Sequence, residues 1–196
     1  MVYSTLRGRV LSLIAAVGFC VSGAMALASG YEVDPAHSFV QFRIQHLGFS
    51  WLYGRFNGIS GEFTYAADNP EASEIAVEID TASIDTNHAE RDKHLRGEDF
   101  LEVETYPKAS FKSTKFTPNG DGGGTLEGEL TLHGVTKPIT LEIGKIGEGE
   151  DPWGGYRVGF IGTTNLTRKD FGMEYNLGPA GETMELELGI EGIRKE

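Results

Sequence analysis

The chain has 196 residues, 17 basic against 29 acidic for a formal net charge of −12, and one cysteine, Cys20. That charge argues against nucleic acid and anionic lipid headgroups as partners, because both would repel it. A lone cysteine excludes a disulfide scaffold, so the fold must rest on burial, for which this length suffices in one domain.

The first element reads as an export signal. Arg7 and Arg9 precede an apolar run from Val10, and Ala26-Leu27-Ala28 fits the small-x-small cleavage rule. Val10 to Ala28 is nearly long enough for an uncleaved anchor, but its Gly and Ser content and the Ala-x-Ala ending favour cleavage after Ala28. Bulky Phe19 before Cys20 speaks against a lipoprotein site. The expected division is a signal peptide over 1–28 and one domain over 29–196. The domain would keep fifteen basic and 29 acidic residues, a net charge of −14 with no cysteine. Such a balance suits an extracytoplasmic protein.

From Phe39 onward the dominant signal is period-two alternation. "FVQFRIQH" sets Val40, Phe42 and Ile44 against Gln41, Arg43 and Gln45, and "GRFNGISGEFTYA" follows as a second strand. "SEIAVEID", "KASFKSTKF", "TLEGELTL", "KPITLEIG", "YRVGFIG" and "MELELGIEGI" continue the pattern. "NGDGGG" and "HGVTKP" are hairpin-turn chemistry, and "GEGEDPWGG" is a longer Gly-rich link. Strands with one apolar face belong to antiparallel sheets buried on one side. About eight of them close most economically into an all-β up-and-down barrel, with a two-sheet sandwich as the alternative. A barrel of this size is filled by side chains or holds one ligand. The aromatics between Phe39 and Tyr65 and the in-strand glycines fit either outcome.

Between two strands lies "DTNHAERDKHLRGEDF", which reads as a short helix. Asn87 is its expected N-cap, Glu90 completes an N-x-x-E capping box, and Gly97 stops it. Arg91 and Leu95 share a face flanked by Asn87 and His94. Arg91 and His94 either fasten the helix locally or meet a ligand where it caps the barrel. Arg168 in "NLTRKDFGME" and Trp153 in "DPWGG" carry the same ambiguity.

The five histidines form no H-E-x-x-H, and His88 and His94 are six apart, which does not suit a metal pair on one helical face. No nucleophile elbow, phosphate loop or cysteine nucleophile follows the signal. No cofactor, metal or catalytic residue is expected, and the reading is a protein that is not an enzyme.

"FRIQHLGFSWLYGRF", "DTNHAERDKHLRGEDFLEVETYP", "LTLHGVTKP" and "RKDFG" together resemble the YceI-like family of bacterial polyisoprenoid-binding proteins, over essentially the whole chain after residue 28. The resemblance implies a lipocalin-like, eight-stranded barrel with a helix near its mouth and an apolar cavity for a polyisoprenoid, isoprenoid quinone or fatty-chain ligand. The secretory signal resembles that of the family's periplasmic members, and a periplasmic location is expected, without stable membrane insertion and as a monomer or homodimer. On the matching positions the resemblance assigns Phe42, Phe49, Trp51, Tyr53, Phe56 and Phe111 to the ligand's chain. Asn87, Arg91, His94 and Arg168 are assigned to its polar head. The rival expectations are an enzyme modifying an isoprenoid lipid at the mouth and a structural or stress-related protein with a vestigial cavity.

Overall fold

The computed structural model describes Met1 and residues 28–196. Residues 2–27 of the expected export signal, Cys20 among them, lie outside the described residues.

Alternating burial produces one closed antiparallel barrel. Around it run β1 (Ser29–Val33), β4 (Ile59–Tyr65), β5 (Glu74–Asp80), β7 (Lys108–Pro118), β8 (Gly124–Leu132), β9 (Val135–Glu150), β10 (Tyr156–Thr167) and β11 (Thr183–Arg194), closed by β1 on β11. Three further strands, β2 (Phe39–His46), β3 (Ser50–Phe56) and β6 (Ile84–Asp85), extend β1, β4 and β5 towards one end. The edge of β11 shows this directly, because Gly192 to Arg194 pair with β1 while Met184 to Gly189 pair with β2. Eight long strands are therefore present, three of them broken.

Each break has a local cause. Between β1 and β2, Asp34 turns the chain at Pro35, its carboxylate accepting from the Ala36 amide at 2.9 Å. Between β3 and β4, Gly58 lies so close to the next strand that an added Cβ would meet Asp80 Cβ at 2.8 Å. Between β5 and β6, Thr81–Ser83 form a 3-10 turn capped by Asp80, which accepts from the Ala82 amide at 2.9 Å. Strand β1 itself is too short to announce itself by alternation.

The core lines the inside of the barrel, and the barrel's two ends differ. At one end Tyr31 stacks on Phe63 with ring centroids 5.0 Å apart, and Phe160 packs edge-on against Phe63 and Tyr65. At the other, the chain leaves the ladder twice: through helix α1 (Ala89–Leu95) and residues 96–107, and through residues 168–182. Among the described residues no helix is long and apolar enough to cross a membrane.

Candidate functional site

The two excursions enclose a cavity of about 610 Å³ at the helix end. Its walls are mainly aliphatic and aromatic, including Phe42, Phe56, Leu95, Leu101 and Met184. A second cavity of about 140 Å³ continues towards the far end between Phe111, Phe116, Leu141 and Phe160. Val40, Ile79, Leu130 and Leu186 border both, so the two spaces adjoin inside the barrel. The larger one lies within the roughly 300–1,000 Å³ range of ligand pockets.

Charged groups enter this lining at the helix end, and each is anchored. Thr86, buried at the end of β6, holds the start of the helix: Arg91 donates from Nε to its Oγ1 at 2.7 Å and from Nη2 to its carbonyl at 2.6 Å. The buried Asp92 carboxylate accepts from the Thr86 amide at 2.9 Å and from its hydroxyl. His94 Nε2 lies 2.8 Å from Asp99 Oδ2, and its ring packs edge-on against Phe100 and Tyr175.

Arg168 is the most deeply buried of these groups, at 3% exposure. Its guanidinium donates to the carbonyls of Gly181 at 2.7 Å, Met173 at 3.3 Å and Tyr175 at 3.1 Å, and lies 5.9 Å from the Phe100 ring centre. Burial lowers its pKa from the usual guanidinium value, and Glu182 opposes that shift. A buried cation solvated by carbonyls places positive potential beside the cavity wall.

Arg91, His94 and Arg168 thus converge on the larger cavity, which Phe42 and Phe56 also line, and Phe111 lines the smaller one. Four expected residues lie elsewhere. Trp51 and Tyr53 point outward because Leu52 and Phe56 take the inward parity of β3; Trp51 carries the Arg43 guanidinium 4.4 Å above its ring. Phe49 sits in the β2–β3 turn at 88% exposure. Asn87 is exposed and left-handed, with φ 60°, and its amide donates to Asp85. The helix cap is instead His88, whose Nδ1 accepts from the Arg91 amide at 3.2 Å.

Phe100, Tyr175 and Leu177 complete the mouth without having been singled out from sequence. Their segments lack periodicity, and only the apolar letters in "EDFL" and "MEYNLG" mark them.

Comparison with known proteins gives consistent results. A YceI-like domain model matches residues 31–192. A UPF0312 protein of Ectopseudomonas mendocina is 53% identical over 181 residues, covering 91% of this chain and 95% of the relative. A UPF0312 protein of Pseudomonas aeruginosa is 50% identical over 189 residues, covering 95% and 98%. Among solved structures, a Campylobacter jejuni YCEI protein superposes with a TM-score of 0.71 at 28% identity, covering 78% of this chain and 91% of that one. A polyisoprenoid binding domain from Saccharophagus degradans, implicated in plant cell wall breakdown, shares the fold with a TM-score of 0.62 at 19% identity, covering 84% and 98%.

Proposed function

Because the chain belongs to the family of YceI-like domains, we propose that it binds a polyisoprenoid or similar long-chain amphiphile inside its barrel and performs no chemistry on it. One observation carries this reading: an apolar cavity extends into the barrel from a mouth at which Arg91, His94 and Arg168 are grouped. A lipid with an apolar tail and a polar or anionic head matches that polarity gradient. The polyisoprenoid binding named for the Saccharophagus degradans domain supports the same ligand class.

In this reading Phe42, Phe56 and Phe111 contact the chain, and Arg91, His94 and Arg168 face the head. Each buried methylene contributes about 0.8 kcal/mol whatever its origin, so the tube selects by length and bulk while the head supplies discrimination. The protein is exported, cleaved after Ala28, and carries, stores or sequesters its lipid in the periplasm.

Incubation with a polyprenyl pyrophosphate followed by native mass spectrometry tests the proposal. The expected result is one unchanged lipid per chain. Turnover that disappears in His94→Ala would replace the carrier with an enzyme, and failure to retain any long-chain lipid at micromolar concentration would leave the cavity without a function.

A further inference from the structure

The β2–β3 hairpin tip is built against the interests of the fold. Leu47 and Gly48 are both left-handed, with φ 53° and 78°, and the Phe49 amide closes the turn on the His46 carbonyl at 2.9 Å. Positive φ at both central positions favours Asn-Gly or Asp-Gly, because a Cβ strains this conformation and a short polar side chain relieves it. Here the first position is leucine, and it is 62% exposed. Phe49 beside it is still more exposed, and Trp51 and Tyr53 continue the same outer surface. Neither conformation nor hydration favours this choice of residues for folding alone.

Two further observations say what covers the tip. Gln45, His46 and Leu47 line the larger cavity, so the exposed apolar tip is continuous with its mouth, and half-exposed Tyr175 stands on the mouth's other side. In a chain with 29 acidic residues, residues 35–61 contain none, and they carry Arg43 and Arg55. Arg43 is already paired with Glu185 at 2.5 Å, which leaves the tip apolar and aromatic rather than strongly cationic. Exposed Trp and Tyr beside apolar side chains is the composition that settles at a lipid–water interface.

We propose that this hairpin tip docks on the surface of a zwitterionic phospholipid bilayer, with Leu47 and Phe49 entering the interface and Trp51 at headgroup level. The cavity mouth then faces the lipid directly. A long-chain ligand passes between bilayer and barrel without crossing water, so this inference rests on the lipid-binding reading above. The acidic remainder of the protein disfavours anionic membranes and keeps the contact transient.

The chain's only two tryptophans report on opposite ends of the barrel, since Trp153 lies in the turn between β9 and β10. Protein made in its native host is mixed with phosphatidylcholine vesicles containing brominated acyl chains. Trp153→Phe isolates Trp51, and Trp51→Phe isolates Trp153. The expected result is quenching of Trp51 and none of Trp153. Phe49→Ser should lower vesicle affinity about tenfold or more and slow lipid uptake from vesicles, while lipid presented in detergent micelles still loads, because Phe49 lies outside the cavity. Leu47→Asn should also weaken vesicle binding while leaving the melting temperature unchanged or raised, which shows that the leucine does not serve folding.

An unquenched Trp51, or equal quenching of both tryptophans, overturns the proposal. So does a vesicle-independent dimer that Phe49→Ser dissociates, which would assign the tip to a second copy of the chain. Failure to load from micelles instead sinks the cavity reading, and a quenched Trp51 would then leave the docking surface standing alone.

Discussion

The two barrel ends use the same residue type for different tasks. At the mouth, Arg91 reaches the Thr86 carbonyl, Arg96 reaches the Ala82 and Ile84 carbonyls at 2.7 and 2.5 Å, and Arg168 reaches three more. At the far end, Arg157 binds the carboxylates of Asp34 at 2.7 Å, Asp151 at 2.8 Å and Glu191 at 2.6 Å. The difference follows from the ladder. At the far end Arg157 lies on β10 with its backbone paired on both sides, and its side chain gathers acids from the β1–β2 break, the β9–β10 turn and β11. Where the chain leaves the ladder to enclose the cavity, carbonyls lose their strand partners and arginines replace them. An open mouth in an otherwise closed barrel thus requires cations that are structural first, whatever they later contact.

The largest predicted effect tests that requirement. Arg168→Met leaves the Gly181, Met173 and Tyr175 carbonyls without this donor, and charge-assisted bonds of this kind contribute about 1.5–3 kcal/mol each, not additively. A loss of about 3 kcal/mol or more is expected in urea unfolding, or a melting temperature lower by roughly 6–12 °C. Arg168→Lys should recover little, because an ammonium lacks the planar fork that reaches three acceptors. If Arg168→Met instead keeps full stability and loses only ligand, the mouth arginines are not substitutes for the ladder.

Glycine contacts sharpen the comparison at a smaller scale. A Cβ at Gly192 would stand 2.3 Å from Phe63 Cζ, and one at Gly54 would stand 2.4 Å from Phe42 Cζ. Phe63 is boxed between Tyr31 and Phe160 and borders only the 140 Å³ cavity, whereas Phe42 borders the 610 Å³ one. Gly192→Ala should therefore cost about 2–3 kcal/mol, and Gly54→Ala about 1–2 kcal/mol, because its ring can tilt into open space although Thr86 Cγ2, 2.8 Å from the added Cβ, must shift as well. The tilt should show as lost capacity for a long-chain ligand, read by native mass spectrometry, which Gly54→Ala suffers despite its milder unfolding.

How far these features were legible in the sequence depends on whether they were periodic. Eight strands and their closure were readable because one-sided burial imposes alternation, and β8 buries Leu126, Gly128, Leu130 and Leu132 in strict parity. The helix was readable from its stop at Gly97, although its cap lies one residue later than expected. Arg91, His94 and Arg168 do meet, since both charged segments follow strands that end at the same rim. Parity also explains why Trp51 and Tyr53 lie outside the cavity lining. Tyr53 and Phe56 are three apart in one strand and cannot share a face, so aromatic character alone does not place a β3 side chain inside the barrel. Phe100 and Tyr175 belong to irregular segments 75 residues apart in the chain, whose meeting no local pattern encodes.

The smallest predicted effect separates the two ends by pH. Hydrogen bonds from His37 and then Arg157 hold the Asp34 carboxyl at about 2, against an ordinary 3.8, while burial pushes the other way. A carboxyl depressed in the folded state stabilises it above the unfolded pKa, and that contribution disappears as pH falls from about 4 towards 2. The shift corresponds to roughly 2 kcal/mol, reduced to about 1 kcal/mol because His37 and Arg157 reach solvent and salt. Asp34→Asn should therefore lose about 1 kcal/mol in urea midpoints at neutral pH and almost nothing near pH 2. The deficit of Arg168→Met should persist across the same range, because backbone carbonyls do not titrate there. Parallel pH profiles for the two variants would mean that acid loosens both ends together, and the division between carboxylate-held and carbonyl-held arginines would fail.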